Sequence, residues 1–170
     1  QLNMKELYKV LSFSASTTAV IMILIGCGGM YSWVASTVGL IDRVSNALIY
    51  LSDNPVIVLM MINVILLMAG MVMGGNEIFY IFIPLLMPVM RHFGWDPVWF
   101  GVMATINIAI GQITPPVAAN LFVGSSVSGV PMEKLVRHVL PLMFSAVIAM
   151  AIVCAFPSLT LFLPRALGIL

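Results

Sequence analysis

The chain has 170 residues, of which 62% are apolar and only 8% charged, and its mean hydropathy is +1.15. Soluble domains carry roughly 25% charged residues, and a soluble fold of this length has too little interior to hide so much apolar surface, whereas a bilayer accepts it. Seven Lys/Arg against six Asp/Glu leave a net charge of +1, which excludes the basic face that nucleic-acid binding requires.

The charges fall in short groups between apolar blocks, the pattern of a polytopic membrane protein. Met4–Leu11 places Lys5, Glu6 and Lys9 among apolar residues and reads as a short interfacial lead-in helix. Residues 12–38 are the first predicted transmembrane helix, centred on the purely apolar Ala19–Ile25, with Tyr31 and Trp33 placed towards an interface. Gly26, Gly28 and Gly29 mark either a bend or close helix packing through small residues. Residues 39–53 form an amphipathic connector. Leu40, Ile41, Val44, Ala47, Leu48 and Leu51 line one face, and Asp42, Arg43, Ser45, Asn46 and Ser52 the other.

Residues 55–90 are predicted as a re-entrant helical hairpin. Pro55–Val72 is almost uniformly apolar, with Asn63 its one strongly polar member. The break Met73-Gly74-Gly75-Asn76-Glu77 follows, and then Ile78–Met90, too short to cross a hydrocarbon core of about 30 Å. A short helix after such a break returns to the side it came from, so Asp53 and Arg91 should share one side of the membrane. Residues 97–129 are predicted as a discontinuous helix, started by Asp96-Pro97 and interrupted at Gln112-Ile113-Thr114-Pro115-Pro116. Residues 132–163 contain a last transmembrane helix, with Pro141 and Pro157 inside it. Cys27 and Cys154 lie in apolar segments without metal-ligand spacing and read as small buried residues. The sequence begins at Gln1 with neither an initiator Met nor a signal-peptide pattern, so the expectation is part of a longer polypeptide or one piece of a split subunit.

The chemistry concentrates at the Thr-Pro-Pro break. Each proline lacks an N–H and clashes with the carbonyl four residues back, so Pro115 should free the carbonyl of Gly111 and Pro116 that of Gln112. Bare carbonyls at a helix C-terminus carry partial negative charge and suit a desolvated Na+, and the Thr114 hydroxyl adds an oxygen. Thr114 also resembles an N-cap for a helix resuming at Val117, whose electropositive start suits a carboxylate. Discontinuous helices of this kind form substrate and ion sites in secondary transporters, although a ligand-free proline kink produces the same local pattern. The second break, Gly70–Asn76, favours a site, because non-helical backbone at membrane depth needs protein or water to satisfy it.

Glu77 is the only acid inside an apolar block. It could contact a cation, carry a proton, pair with an arginine of another segment, or sit in water at the hairpin tip. Asn107 and Asn120 flank the proline break and either point into a common cavity or make helix–helix hydrogen bonds. Asn76, Glu77, Asn107 and Asn120 are the candidate substrate-binding side chains. His92 and His138 lack a partnered nucleophile at useful spacing, and no H-E-x-x-H, G-x-S-x-G or P-loop pattern occurs, so the chain is expected not to be an enzyme.

Asp96–Phe122 (DPVWFGVMATINIAIGQITPPVAANLF), Ser128–Pro141 (SGVPMEKLVRHVLP) and Phe156–Pro164 (FPSLTLFLP) together resemble the large membrane subunit of tripartite ATP-independent periplasmic (TRAP) transporters. Gly70-Met71, Pro84–Pro88 (PLLMP) and Ser14–Gly26 extend the resemblance over nearly the whole chain. The resemblance implies an all-α integral membrane fold, the second, C-terminal inverted repeat of an elevator-type transporter related to dicarboxylate/sodium symporters. It implies a multi-pass protein of the bacterial inner membrane whose partners are the N-terminal repeat, a small four-helix membrane subunit and a periplasmic binding protein. That binding protein would deliver an organic acid such as a dicarboxylate or sialic acid, with Na+ as the coupling ion. The family's sodium positions fall on Gly70, Gly111, Thr114 and Val117. Where the family often has an acid, this chain has Gly74, and Glu77 stands one turn further on. Two other readings stand beside transport: a membrane scaffold or degenerate repeat that carries nothing, and a channel-like subunit whose breaks line a pore. Lys5, Lys9, Lys134 and Arg137 on one side against Arg43, Arg91 and Arg165 on the other orient the chain only weakly.

Overall fold

The computed structural model describes residues 3–115 and 118–168. All regular structure among them is helical: α1 (Met4–Thr37), α2 (Leu40–Leu51), α3 (Pro55–Val72), α4 (Gly75–His92), α5 (Pro97–Gly111), α6 (Ala119–Ser128), α7 (Met132–Ala155) and α8 (Ser158–Ala166). Three of these, α1, α3 and α7, are long and apolar enough to cross a membrane. Their outer faces stay uncovered by the chain. Met68 is 62% exposed, Phe144 64% and Ile148 61%, a surface that belongs against lipid or other apolar protein rather than water.

The first helix is longer than its sequence suggests. Met4–Leu11 does not form a separate interfacial helix but extends α1 to 34 residues, about 51 Å against a hydrocarbon core of about 30 Å. The Glu6 carboxylate accepts the Asn3 N–H at 3.3 Å and closes its N-terminus. The glycines do not interrupt it. Gly28 is a packing position, where a Cβ would stand 2.6 Å from the Tyr80 Cβ, while Gly26 and Gly29 have open space. The amphipathic α2 lies on α4 through Leu48 and Ser45. Ser45, placed on the polar face by its spacing, is buried, and its hydroxyl donates to the Leu85 carbonyl at 2.9 Å.

The core is built by α3, α4 and α5. Asn54 caps α3 by accepting the Val56 N–H at 2.9 Å, with Pro55 at the first helical position. Val58, Ile62, Leu66 and Gly70, four residues apart, form its buried stripe. Asp96 caps α5, accepting the Val98 N–H at 2.8 Å. Two cross-links run between α3 and α5 in the same sequence direction, Asn63 to Asn107 and Gly70 to Gly111, so the two helices are parallel. The intervening α4 returns antiparallel, placing Gly75 beside Gln112 and bringing the chain back to Trp95, which shares a cavity of about 430 Å³ with Pro55. The two open ends of the α3–α4 hairpin therefore lie beside each other. The second arm is not the short Ile78–Met90 segment. It begins at Gly75 and has 18 residues, about 27 Å, because Gly74 in extended conformation serves as N-cap and Glu77 suits a helix's first turn.

The segment 132–163 is two helices rather than one. Pro157 has no N–H for the Val153 carbonyl, and α7 stops at Ala155. The Trp99 indole of α5 supplies the missing donor, Nε1 to the Val153 oxygen at 2.8 Å, which ties the α7–α8 elbow to the core.

Candidate functional site

The two sequence breaks meet. Gly70, one turn before the hairpin tip, lies on Gly111, the last residue of α5. A Cβ on Gly70 would stand 2.9 Å from the Gly111 Cα, and one on Gly111 would stand 2.7 Å from the Gly70 Cα and 3.1 Å from the Leu67 carbonyl. Helices normally pass 8–10 Å apart, and only paired glycines let backbones come this close. Polar backbone of both breaks is thereby concentrated in one place inside an apolar bundle.

The proline break folds more tightly than its sequence implies. The carbonyl of Gly111, expected to be bare, accepts the Thr114 N–H at 3.0 Å, and that of Gln112 accepts the Asn120 N–H at 3.2 Å. Local tightening accounts for the first bond. The second forms because the backbone turns back through Ala118, a buried non-glycine residue in the left-handed conformation (φ 47°). Each carbonyl retains a second lone pair for another partner. Thr114 does not cap a following helix, since α6 begins at Ala119 after the left-handed Ala118. Its hydroxyl turns back instead, donating to the Ile110 carbonyl at 2.6 Å and lying 3.3 Å from the Met143 sulfur of α7. The half-buried Thr114 oxygen still has lone pairs to offer.

Of the four positions predicted for sodium, the fold brings Gly70 and Gly111 into contact and sets Thr114 just beyond them; Val117 lies outside the described residues. The four predicted substrate side chains do not converge. Asn107 is fully buried, and its Nδ2 donates to the Asn63 carbonyl at 2.9 Å and the Asn63 Oδ1 at 2.7 Å. It makes the helix–helix bond rather than lining a cavity, because both of its donors are spent on α3. Asn76 and Asn120 are exposed on the first turns of α4 and α6. Glu77 is half-buried. Its carboxylate folds back over Gly74, and it lines a cleft of about 190 Å³ against α1 with Leu24, Cys27, Tyr31 and Tyr80. The carboxylate thus occupies the space beside Gly74, on the α1 side of the tip.

Two side chains of this junction carried no role in the sequence reading. Gln112 seats its amide against Gly75, and Asn63 is the partner of Asn107. The signals were present: a lone Asn in an otherwise apolar helix, and a Gln next to the glycine that ends α5.

Comparison with known sequences gives the same direction. Residues 1–159 match the family described as tripartite ATP-independent periplasmic transporter, DctM component. The sialic acid TRAP transporter large permease protein SiaM of Vibrio cholerae is 35% identical over 164 residues, covering 96% of this chain and 38% of the relative. The C4-dicarboxylate TRAP transporter large permease protein DctM of Pseudomonas aeruginosa is 32% identical over 167 residues, 98% of this chain and 39% of the relative. The 2,3-diketo-L-gulonate TRAP transporter large permease protein YiaN of Escherichia coli is 37% identical over 141 residues, 83% of this chain and 33% of the relative. The chain thus spans less than two-fifths of the length of these relatives.

Proposed function

The chain belongs to the DctM component family of tripartite ATP-independent periplasmic transporters, and from that premise we propose that it is the second inverted repeat of a large permease subunit that takes up an organic acid anion with Na+. The observation that carries the reading is the backbone contact between the hairpin tip and the proline break at Gly70 and Gly111. Na+ prefers oxygen ligands, and the break offers them as the second lone pairs of the Gly111 and Gln112 carbonyls and the Thr114 hydroxyl. The α3–α4 hairpin is re-entrant in this reading, with its tip at membrane depth, and α5–α6 is the discontinuous helix facing it. Sites of this kind lie where two repeats meet, so the missing first repeat completes the substrate cavity and Asn76 and Asn120 face it. The whole assembly then comprises both repeats, a small four-helix membrane subunit and a periplasmic binding protein in the bacterial inner membrane. An anionic substrate accords with the sialic acid and C4-dicarboxylate named for relatives of this chain.

The test is uptake by the complete permease in proteoliposomes with its binding protein outside. An inward Na+ gradient should drive saturable accumulation, and replacing Na+ with K+ should abolish it. Undiminished uptake without Na+ removes the coupling ion from the mechanism. Non-saturable flux independent of the binding protein points to a channel, and no flux from a correctly assembled complex to a scaffold.

A further inference from the structure

Gly111 and Gln112 are adjacent in sequence and hold different arms of the hairpin. Gly111 lies on Gly70 of α3. Gln112 reaches across the tip to Gly75, the first residue of α4, and its Nε2 occupies the place where a Cβ on Gly75 would stand, with the Ile108 Cγ2 3.4 Å from that point. Gly75 has no positive φ, so its backbone does not demand glycine there. What the missing side chain provides is a notch, and the Gln112 amide fills it. Gln112 is half-buried, and its amide is in close contact with Gly75.

The Gly70–Gly111 contact ties the proline break to the α3 arm, in line with the Asn63–Asn107 bonds further along the same helix pair. The Gln112 contact ties the break to the first residue of the α4 arm. We propose that Gln112 is a positioning residue: seated in the Gly75 notch, it locks the α4 arm of the hairpin tip to the proline break and so fixes the spacing of the backbone oxygens at the two breaks. The inference rests on the reading of that junction as the ion site, and it assigns the residue that sets the site's geometry rather than a ligand.

The experiment uses the complete permease with its binding protein in proteoliposomes and compares Gly75→Ala, Gln112→Ala and the double variant. Alanine suits the first turn of a helix, so Gly75→Ala acts by expelling the Gln112 amide. It should raise the Na+ concentration for half-maximal uptake about tenfold, as overpacking at a tight contact does. Gln112→Ala should raise it by less, about threefold. In the double variant the alanine methyl enters the space the amide has left, so the effect should be no larger than that of Gln112→Ala alone. Multiplying effects in the double variant, or a Gly75→Ala permease with wild-type Na+ dependence, overturns the proposal. So does a pattern in which the variants lower thermal stability while the half-saturating Na+ concentration stays unmoved. If wild-type uptake proves independent of Na+, the ion reading fails on that result alone. The same four proteins then decide the lock through the half-saturating substrate concentration, where the same non-multiplying pattern is required.

Discussion

The backbone contact between the two breaks makes the sharpest demand. A methyl added at Gly111 would lie 2.7 Å from the Gly70 Cα, 2.9 Å from the Gly70 carbonyl carbon and 3.1 Å from the Leu67 oxygen. Carbon atoms pack best at about 3.5–4.0 Å, so α3 and α5 must part by about 1 Å, and no rotamer change helps because every obstacle is backbone. Overpacking of this kind costs about 1–3 kcal/mol. Gly101 provides an internal control, since it lies on the same helix with nothing within 4 Å of an added Cβ. There Gly→Ala should gain about 0.5–1 kcal/mol from helix propensity. The two substitutions, identical in chemistry and ten positions apart on one helix, should therefore differ by about 1.5–4 kcal/mol. Thermal denaturation of the complete permease, read by differential scanning fluorimetry, should place Gly101→Ala at or above wild type and Gly111→Ala clearly below it. Equal midpoints for the two variants would mean that the breaks are not in backbone contact, and the two-break site would lose its foundation.

Thr114→Ala should raise the half-saturating Na+ concentration of uptake by on the order of ten- to a hundredfold, while Thr114→Ser stays close to wild type; unaltered Na+ dependence in a well-expressed Thr114→Ala complex removes the side-chain ligand. Asn107→Leu loses both bonds to Asn63 and should cost about 1–3 kcal/mol of stability without changing the substrate concentration for half-maximal uptake. A large rise in that concentration would restore Asn107 to the substrate site. Trp99→Phe orphans the Val153 carbonyl and should cost about 1–3 kcal/mol, but much less in a Pro157→Ala background, where the backbone N–H returns. Equal cost in both backgrounds would show that the indole does not stand in for the missing donor. Cysteines placed at Asp53 and Arg91 should both react with impermeant reagents from the same side of the membrane, and reaction from opposite sides would exclude a re-entrant hairpin.

Much of the architecture can be read from local chemistry. An apolar fraction of 62% with charges confined to short groups specifies a membrane protein. Asn54-Pro55 and Asp96-Pro97 each announce a helix start that the structure reproduces as a capped first turn. Boundaries that depend on neighbours are harder. The charged Met4–Leu11 segment has helical propensity enough to join α1, and nothing in its own sequence marks the junction. At Pro157 a proline inside an apolar run allows either a kink or a stop, and the decision falls to Trp99, 58 positions away in sequence, which satisfies the orphaned carbonyl.

The site divides the same way. Composition, glycine and proline placement, and the Thr-Pro-Pro motif by themselves point to a membrane chain with two interruptions, because those are consequences of local backbone chemistry. Which groups meet at the interruptions is not local. Spacing leaves Asn107 equally suited to a cavity and to a neighbouring helix, and the parallel docking of α3 on α5 sends it to Asn63. Proline alone says that the carbonyls of Gly111 and Gln112 lose a donor, but the turn through Ala118 hands one of them back to Asn120. Glu77 sits beside the break in sequence yet faces α1, and Gln112 reaches the opposite arm of the hairpin from the one its neighbour touches. Only tertiary structure decides these pairings, because a contact between residues forty positions apart depends on helix direction, register and the close approach that paired glycines permit.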